Sequence, residues 1–222
     1  MIKGVIFDLD GVICDTAEYH YLAWKELGNE LGISFSREFN ENLKGISRTE
    51  SLERILEFGG KLDYYSSQEI EELATKKNKN YVKLIENVSS DDLLPGIHGF
   101  LRSLKENKIK VALASASKNA PFLLEKMNVA NFFDTIVDPA TLQNGKPDPE
   151  IFIKGAKQLE LSAHECLGIE DAYSGVEAIN QAGMFSVGIG EQKTLSQADI
   201  VYSTTAELNW KQLLELALAN QA

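Results

Sequence analysis

The sequence predicts an α/β protein: a parallel sheet covered by helices on both faces, with a helical domain inserted after the first strand. Three observations carry this. Short apolar segments recur at residues 2–7, 110–114, 135–137, 166–169 and 185–189, with helical patterns between the later ones. From Thr16 to about Asp92 helix follows helix, with no convincing strand pattern. Several apolar segments also stop abruptly at carboxylates or hydroxyls, as strand ends do where an open parallel sheet binds its ligand.

Residues 2–7, Ile-Lys-Gly-Val-Ile-Phe, run into Asp8-Leu9-Asp10-Gly11 and suit a buried strand followed by a turn. Residues 17–31 form a helical pattern that ends at Gly32. Ser47-Arg48-Thr49-Glu50 has the form of a capping box, and its helix stops at Gly59-Gly60; Ser66-Ser67-Gln68-Glu69 opens a longer helix. Pro95-Gly96 turns the chain back toward the sheet, and helices are expected at 97–105, 121–127, 149–159 and 173–182. Early prolines start the second and third of these, and Gly183 closes the fourth. The expected domains are a Rossmann-like, doubly wound core of residues 1–15 and 94–222, and an α-helical cap of residues 16–93.

With 222 residues, 44% of them hydrophobic, the chain can bury a real core, which excludes disorder and fibrous folds. No apolar run approaches the ~18 residues of a membrane span. The opening MIKGVIFDLD reaches Asp too soon for a signal peptide. Cys14 and Cys166 form no CxxC pair and suggest neither a disulfide framework nor a zinc site. A cytoplasmic monomer without a membrane partner is expected. The net charge of −11 is spread along the chain and argues against a nucleic-acid partner, which needs a basic face. An anionic substrate must then be met by a few local cations or a metal.

Asp8 and Asp10 lie two apart at the end of the first strand, so extended geometry can turn both carboxylates to one side. Such a pair can be a nucleophile with an acid/base partner, or two metal ligands. Three other segments converge on the same sheet edge. Ala114-Ser115-Ala116-Ser117-Lys118-Asn119 ends a strand in hydroxyls and a cation; Gly145-Lys146-Pro147 sets a Lys before a proline-started helix; Gly168-Ile169-Glu170-Asp171 ends a strand in two acids.

Phe7-Asp8-Leu9-Asp10-Gly11-Val12, the Ser115 strand end, Lys146-Pro147 and Glu170-Asp171, in that order, resemble the four motifs of the haloacid dehalogenase superfamily of phosphotransferases. The resemblance spans nearly the whole chain. It implies that Asp8 is a nucleophile forming an aspartyl phosphate and that Asp10 is the acid/base. It also implies that Ser115 and Lys146 hold the transferring phosphoryl oxygens. Mg²⁺ is the implied cofactor, held by Asp8, the Asp10 carbonyl, Asp171 and, through water, Glu170. Motif four reads Glu-Asp where many superfamily phosphatases have Asp-Asp; both remain oxygen donors.

Residues 15–25, 43–48 and 77–81, with Ser117-Lys118-Asn119, resemble the hexose-phosphate mutase branch of that superfamily. The implied reaction interconverts β-D-glucose 1-phosphate and D-glucose 6-phosphate through β-glucose 1,6-bisphosphate. A sugar-phosphate phosphatase of the same superfamily is the alternative. The mutase needs a second phosphate site, for which the resemblance offers Arg48 opposite Ser117, Lys118 and Asn119. Lys44, Gly45 and Ile46 would line the cap side, Lys77 would reach sugar hydroxyls and Trp24 would be a hydrophobic wall. His20 and Thr16 would align Asp10 as the cap closes, and Asp10 and His20 would touch the substrate. From spacing alone, Lys44 and Lys77 read as solvated helix-face lysines and His20 as a structural residue.

Overall fold

The computed structural model describes residues 1–220. The chain forms two compact units, one of Met1–Asp15 with the chain from Ser89 onward, the other Thr16–Val88. The first holds a six-stranded, wholly parallel sheet: β1 (Gly4–Phe7), β2 (Lys110–Leu113), β3 (Thr135–Ile136), β4 (Cys166–Glu170), β5 (Phe185–Ile189) and β6 (Ile200–Tyr202), in the order β3-β2-β1-β4-β5-β6. β1 is central, with Gly4 opposite Lys110 on one side and Cys166 on the other. The order runs outward from β1 in one direction, then reverses to run outward from β4. That reversal opens a crevice at the carboxyl ends of β1 and β4, where ligands bind in open parallel sheets. β1, β4 and β5 are buried throughout, which is why they read as mostly apolar runs.

The unit Thr16–Val88 is helical: α1 (Ala17–Glu30), α2 (Arg37–Glu41), α3 (Arg48–Phe58) and α4 (Ser67–Leu84). Trp24, Leu27, Leu52, Ile55, Leu56, Ile70 and Ala74 form its core. Ser66 and Glu69 make the complete reciprocal cap expected at the start of α4. At α3 only half of it forms: Ser47 Oγ accepts from the Glu50 N–H, while the Glu50 carboxylate takes Arg54 Nη2. A helix-surface partner four residues on has outcompeted the box. The sheet unit adds α5 (Ile97–Glu106), α6 (Ala120–Lys126), α7 (Glu150–Gln158), α8 (Tyr173–Gln181) and α9 (Trp210–Asn220).

Three elements differ from the expectation. The return to the sheet unit comes at Ser89, ahead of the expected residue 94. Leu93 bridges to Cys14 and the Leu94 N–H bonds the Ile13 carbonyl at 3.0 Å, so this segment is paired to the extension of β1. β6 was not anticipated among the polar residues that flank it. Nor was the short α2, whose start is fixed by Ser36 Oγ accepting from the Phe39 N–H.

Candidate active site

β1 delivers Asp8 and Asp10, β4 delivers Glu170 and Asp171, the end of β2 delivers Ser115, and the loop before α7 delivers Lys146. Asp8 and Lys146 are each 4% exposed and Glu170 is fully buried. Lys146 Nζ donates to Asp8 Oδ1 at 2.6 Å and also to Glu170 Oε1. Burial opposes the ammonium, but Asp8 and then Glu170 outweigh it and hold its pKa above the ordinary lysine value. Glu170 Oε2 accepts the N–H groups of Asp171 and Ala172, each at 2.9 Å. Both Glu170 oxygens are therefore engaged by the protein, whereas Asp8 keeps Oδ2 outside any hydrogen bond among the described residues.

One carboxylate oxygen each from Asp8, Glu170 and Asp171 lies within 4.8 Å of the others. Three carboxylates against one ammonium leave a formal charge of about −2, the complement of a divalent cation. An all-oxygen donor set is what a hard cation such as Mg²⁺ selects. Two glycines keep the cluster compact. Gly11 has φ +73°, and a Cβ there would lie 2.2 Å from Asp171 Oδ2. On α8, a Cβ at Gly175 would lie 1.8 Å from Glu170 Oε1.

Gly175 yields a prediction. In an exposed helix, Gly→Ala stabilises by about 1 kcal/mol. Here the methyl group would meet a carboxylate pinned by Lys146 and two backbone N–H groups. Gly175→Ala is therefore expected to destabilise by about 1–3 kcal/mol, as overpacking does. It should also weaken divalent-cation binding by roughly 10–100-fold through displaced Glu170. Thermal melts and a calorimetric Mg²⁺ titration check both; a more stable variant with unchanged Mg²⁺ affinity would refute the assigned role.

At the end of β2 the turn is wound by its own hydroxyls. Ser115 Oγ accepts the Ser117 N–H at 3.1 Å, and Ser117 Oγ accepts the Asn119 N–H at 3.3 Å. Ser115 is buried and Lys118 is exposed.

The helical unit carries a second cluster. Thr16, His20 and Trp24 recur every fourth residue along α1 from its N-cap, and Lys77 and Tyr81 do so on α4, so each set shares a helix face. Lys77 Nζ lies 2.7 Å from His20 Nδ1, 4.4 Å from the Trp24 ring centroid and 4.8 Å from that of Tyr81. An ammonium only donates, so Nδ1 is the acceptor and neutral His20 carries its proton on Nε2. Burial first, then Lys77 and Arg48, push the His20 pKa well below its ordinary value. His20 is a neutral ring held in one tautomer. Lys77 is 2% exposed, which overturns its reading from spacing as a solvated lysine: three ring systems shelter the ammonium.

Arg48 opens α3, where a cation opposes the helix dipole, and it is partly buried. Lys44 pairs with Glu41 at 2.8 Å, Gly45 turns the chain at φ +73°, and Ile46 is buried. Arg48 and Lys44–Ile46 belong to the helical unit, while Ser117, Lys118 and Asn119 belong to the sheet unit. Sequence reasoning gave no role to Tyr81 or Gly175. The signal for Tyr81 was its four-residue spacing from Lys77; for Gly175 it was a glycine inside a helix.

The haloacid dehalogenase-like hydrolase family matches residues 2–183, and the chain belongs to that family. Within it, the chain is 50% identical over 214 residues to the β-phosphoglucomutase of Bacillus subtilis, covering 96% of this chain and 95% of that one. Its fold superposes on the crystal structure of β-phosphoglucomutase from Clostridium difficile with a TM-score of 0.98 at 48% identity, covering 100% of this chain and 99% of that one. It is more distantly similar to a phosphorylated carbohydrates phosphatase of Thermotoga maritima, at 30% identity over 188 residues and 82% of each chain.

Proposed function

We propose that the chain is an isomerase that interconverts β-D-glucose 1-phosphate and D-glucose 6-phosphate through an aspartyl-phosphate enzyme and β-glucose 1,6-bisphosphate. The observation that carries this reading is the end-to-end likeness to the Bacillus subtilis enzyme, 50% identical over 96% of the chain.

The chemistry follows from the sheet-edge cluster. Asp8 attacks phosphorus through a carboxylate oxygen, and the bond from phosphorus to the sugar oxygen breaks. Asp10 protonates the departing oxygen and takes the proton from the hydroxyl that attacks in the return step. Lys146 and Ser115 hold the transferring oxygens as charge shifts between them. A carboxylate 4 Å from a phosphoryl charge is repelled by about 4 kcal/mol at an effective dielectric near 20. Mg²⁺ held by Asp8, the Asp10 carbonyl, Asp171 and, through water, Glu170 would neutralise that charge when bound. Water is the natural mediator for Glu170, whose oxygens already serve Lys146 and two N–H groups.

Arg48, with Ser117, Lys118 and Asn119, would hold the phosphate that is not reacting. Lys44, Gly45, Ile46 and Trp24 would bound the sugar, and His20 with Thr16 would align Asp10. Lys77 supports this by fixing the His20 tautomer. The substrate is a small water-soluble phosphate, and the proposal includes a cytoplasmic monomer needing neither nucleic acid nor membrane. Among the described residues no helix is long and apolar enough to cross a membrane.

The test is glucose 6-phosphate formation from β-glucose 1-phosphate with Mg²⁺ and a bisphosphate primer. Release of inorganic phosphate alone would favour the phosphatase reading. Arg48→Ala separates the two further. Losing the guanidinium removes up to ~3 kcal/mol of charged hydrogen bonding, about a hundredfold in mutase flux. Phosphorylation of Asp8 by acetyl phosphate, which needs no distal grip, should be largely spared. An equal fall in both activities would return Arg48 to a structural role.

A further inference from the structure

Tyr81 touches three members of the His20 cluster: His20, Lys77 and Thr16. Its ring stacks on His20 with centroids 4.0 Å apart at 29°. Its face carries the Lys77 ammonium, and its hydroxyl donates to Thr16 Oγ1 at 3.2 Å. The side chain is fully buried. Thr16 supplies the second clue. It stands at the N-cap of α1, where a threonine oxygen ordinarily accepts a first-turn N–H, yet it makes no such bond. Its oxygen accepts from Tyr81 in place of capping the helix. A local rule broken by a buried pair marks a position chosen for something other than helix stability.

We infer that Tyr81 is a positioning residue for phosphoryl transfer, holding the His20 ring and the Thr16 hydroxyl as one unit. The inference rests on the function proposed above. The stacked phenol ring fixes the plane of the imidazole. Within that plane, Lys77 fixes Nδ1 as acceptor and so leaves Nε2–H as donor. The phenol hydroxyl ties this arrangement to Thr16, the first residue of the helical unit. His20 is then held in one orientation with one proton position, with no ring rotation or tautomer exchange needed when it acts.

Two variants separate the parts. Tyr81→Phe keeps the ring and loses the hydroxyl bond to Thr16; Tyr81→Leu loses the stack as well. The chain has three histidines, so the His20 nitrogens can be assigned in two-bond ¹H–¹⁵N correlation spectra. The wild type and Tyr81→Phe should show a single Nε2-protonated His20, and Tyr81→Leu a mixture of tautomers. In turnover with β-glucose 1-phosphate, Tyr81→Leu should lower kcat about tenfold with little change in KM. It should also lower the ratio of glucose 6-phosphate formed to inorganic phosphate released. Tyr81→Phe should fall between it and the wild type. Phosphorylation of Asp8 by acetyl phosphate should stay at the wild-type rate in both, which reports an intact sheet unit. A Tyr81→Leu protein with one His20 tautomer and a wild-type product ratio would overturn the inference. A wild type that forms no glucose 6-phosphate would overturn the proposed function, while the spectra would still decide whether Tyr81 sets the His20 ring.

Discussion

Asp8→Asn is expected to abolish glucose 6-phosphate formation while leaving the fold intact. The amide nearly matches the carboxylate in shape but lacks the anionic oxygen that attacks phosphorus in the proposed mechanism. Removing a nucleophile costs on the order of 10⁴–10⁶ in turnover in well-studied enzymes. The change also relieves a charge: Lys146 then faces one carboxylate, Glu170, where it had two. Stability should therefore change little, and Mg²⁺ affinity should fall because one of three clustered carboxylates is gone. The measurement is product formation together with mass spectrometry after exposure to acetyl phosphate, which should show no phosphoryl adduct. Near-wild-type turnover, with deamidation back to Asp excluded by mass, would sink the assignment.

Lys146→Met should lose both activity and stability. The methionine fills much the same space but leaves Asp8 and Glu170 buried without their shared cation. Breaking a buried pair by removing one partner costs about 3–5 kcal/mol. In a chain of this size that lowers Tm by about 10 °C. Mg²⁺ should restore part of the loss, because it supplies positive charge to the same carboxylates, so the stabilisation by Mg²⁺ should be larger in the variant than in the wild type. Phosphorylation of Asp8 should fall by about two to three powers of ten, the scale for removing one charge-stabilising donor. Thermal melts with and without Mg²⁺, and the rate of adduct formation, check these outcomes. An unchanged Tm would mean that Lys146 does not neutralise the pair.

The strand ends were legible because each is a local signal: an apolar run that stops at Asp8, Ser115 or Glu170 states both its strand and the chemistry at its end. Helix starts at Ser47 and Ser66 were legible for the same reason, although only the second forms the full reciprocal cap. What escaped depends on pairs far apart in sequence. A lysine counts as polar in any periodicity, so Lys77 looked solvated; only the fold sets it among His20, Trp24 and Tyr81. Gly175 is a different case, because Glu170 lies close by in sequence: a glycine inside a helix looks indifferent until the turn from β4 into α8 sets the Glu170 carboxylate against it.

The central place of β1 has a consequence for how the protein is made. Its partners are β2, starting at Lys110, and β4, starting at Cys166, so β1 has no strand neighbour until the chain has been made as far as Lys110. The whole segment Thr16–Val88 emerges in between and can complete its own core first. Pairings this distant in sequence close slowly, since a long loop must be ordered before any ladder forms. A nascent chain halted before β4 would carry β1 with one edge bare, an aggregation hazard and a target for chaperones. Asp8 leaves the ribosome ahead of Ser115 and Lys146, and its site is incomplete until Glu170 and Asp171 follow.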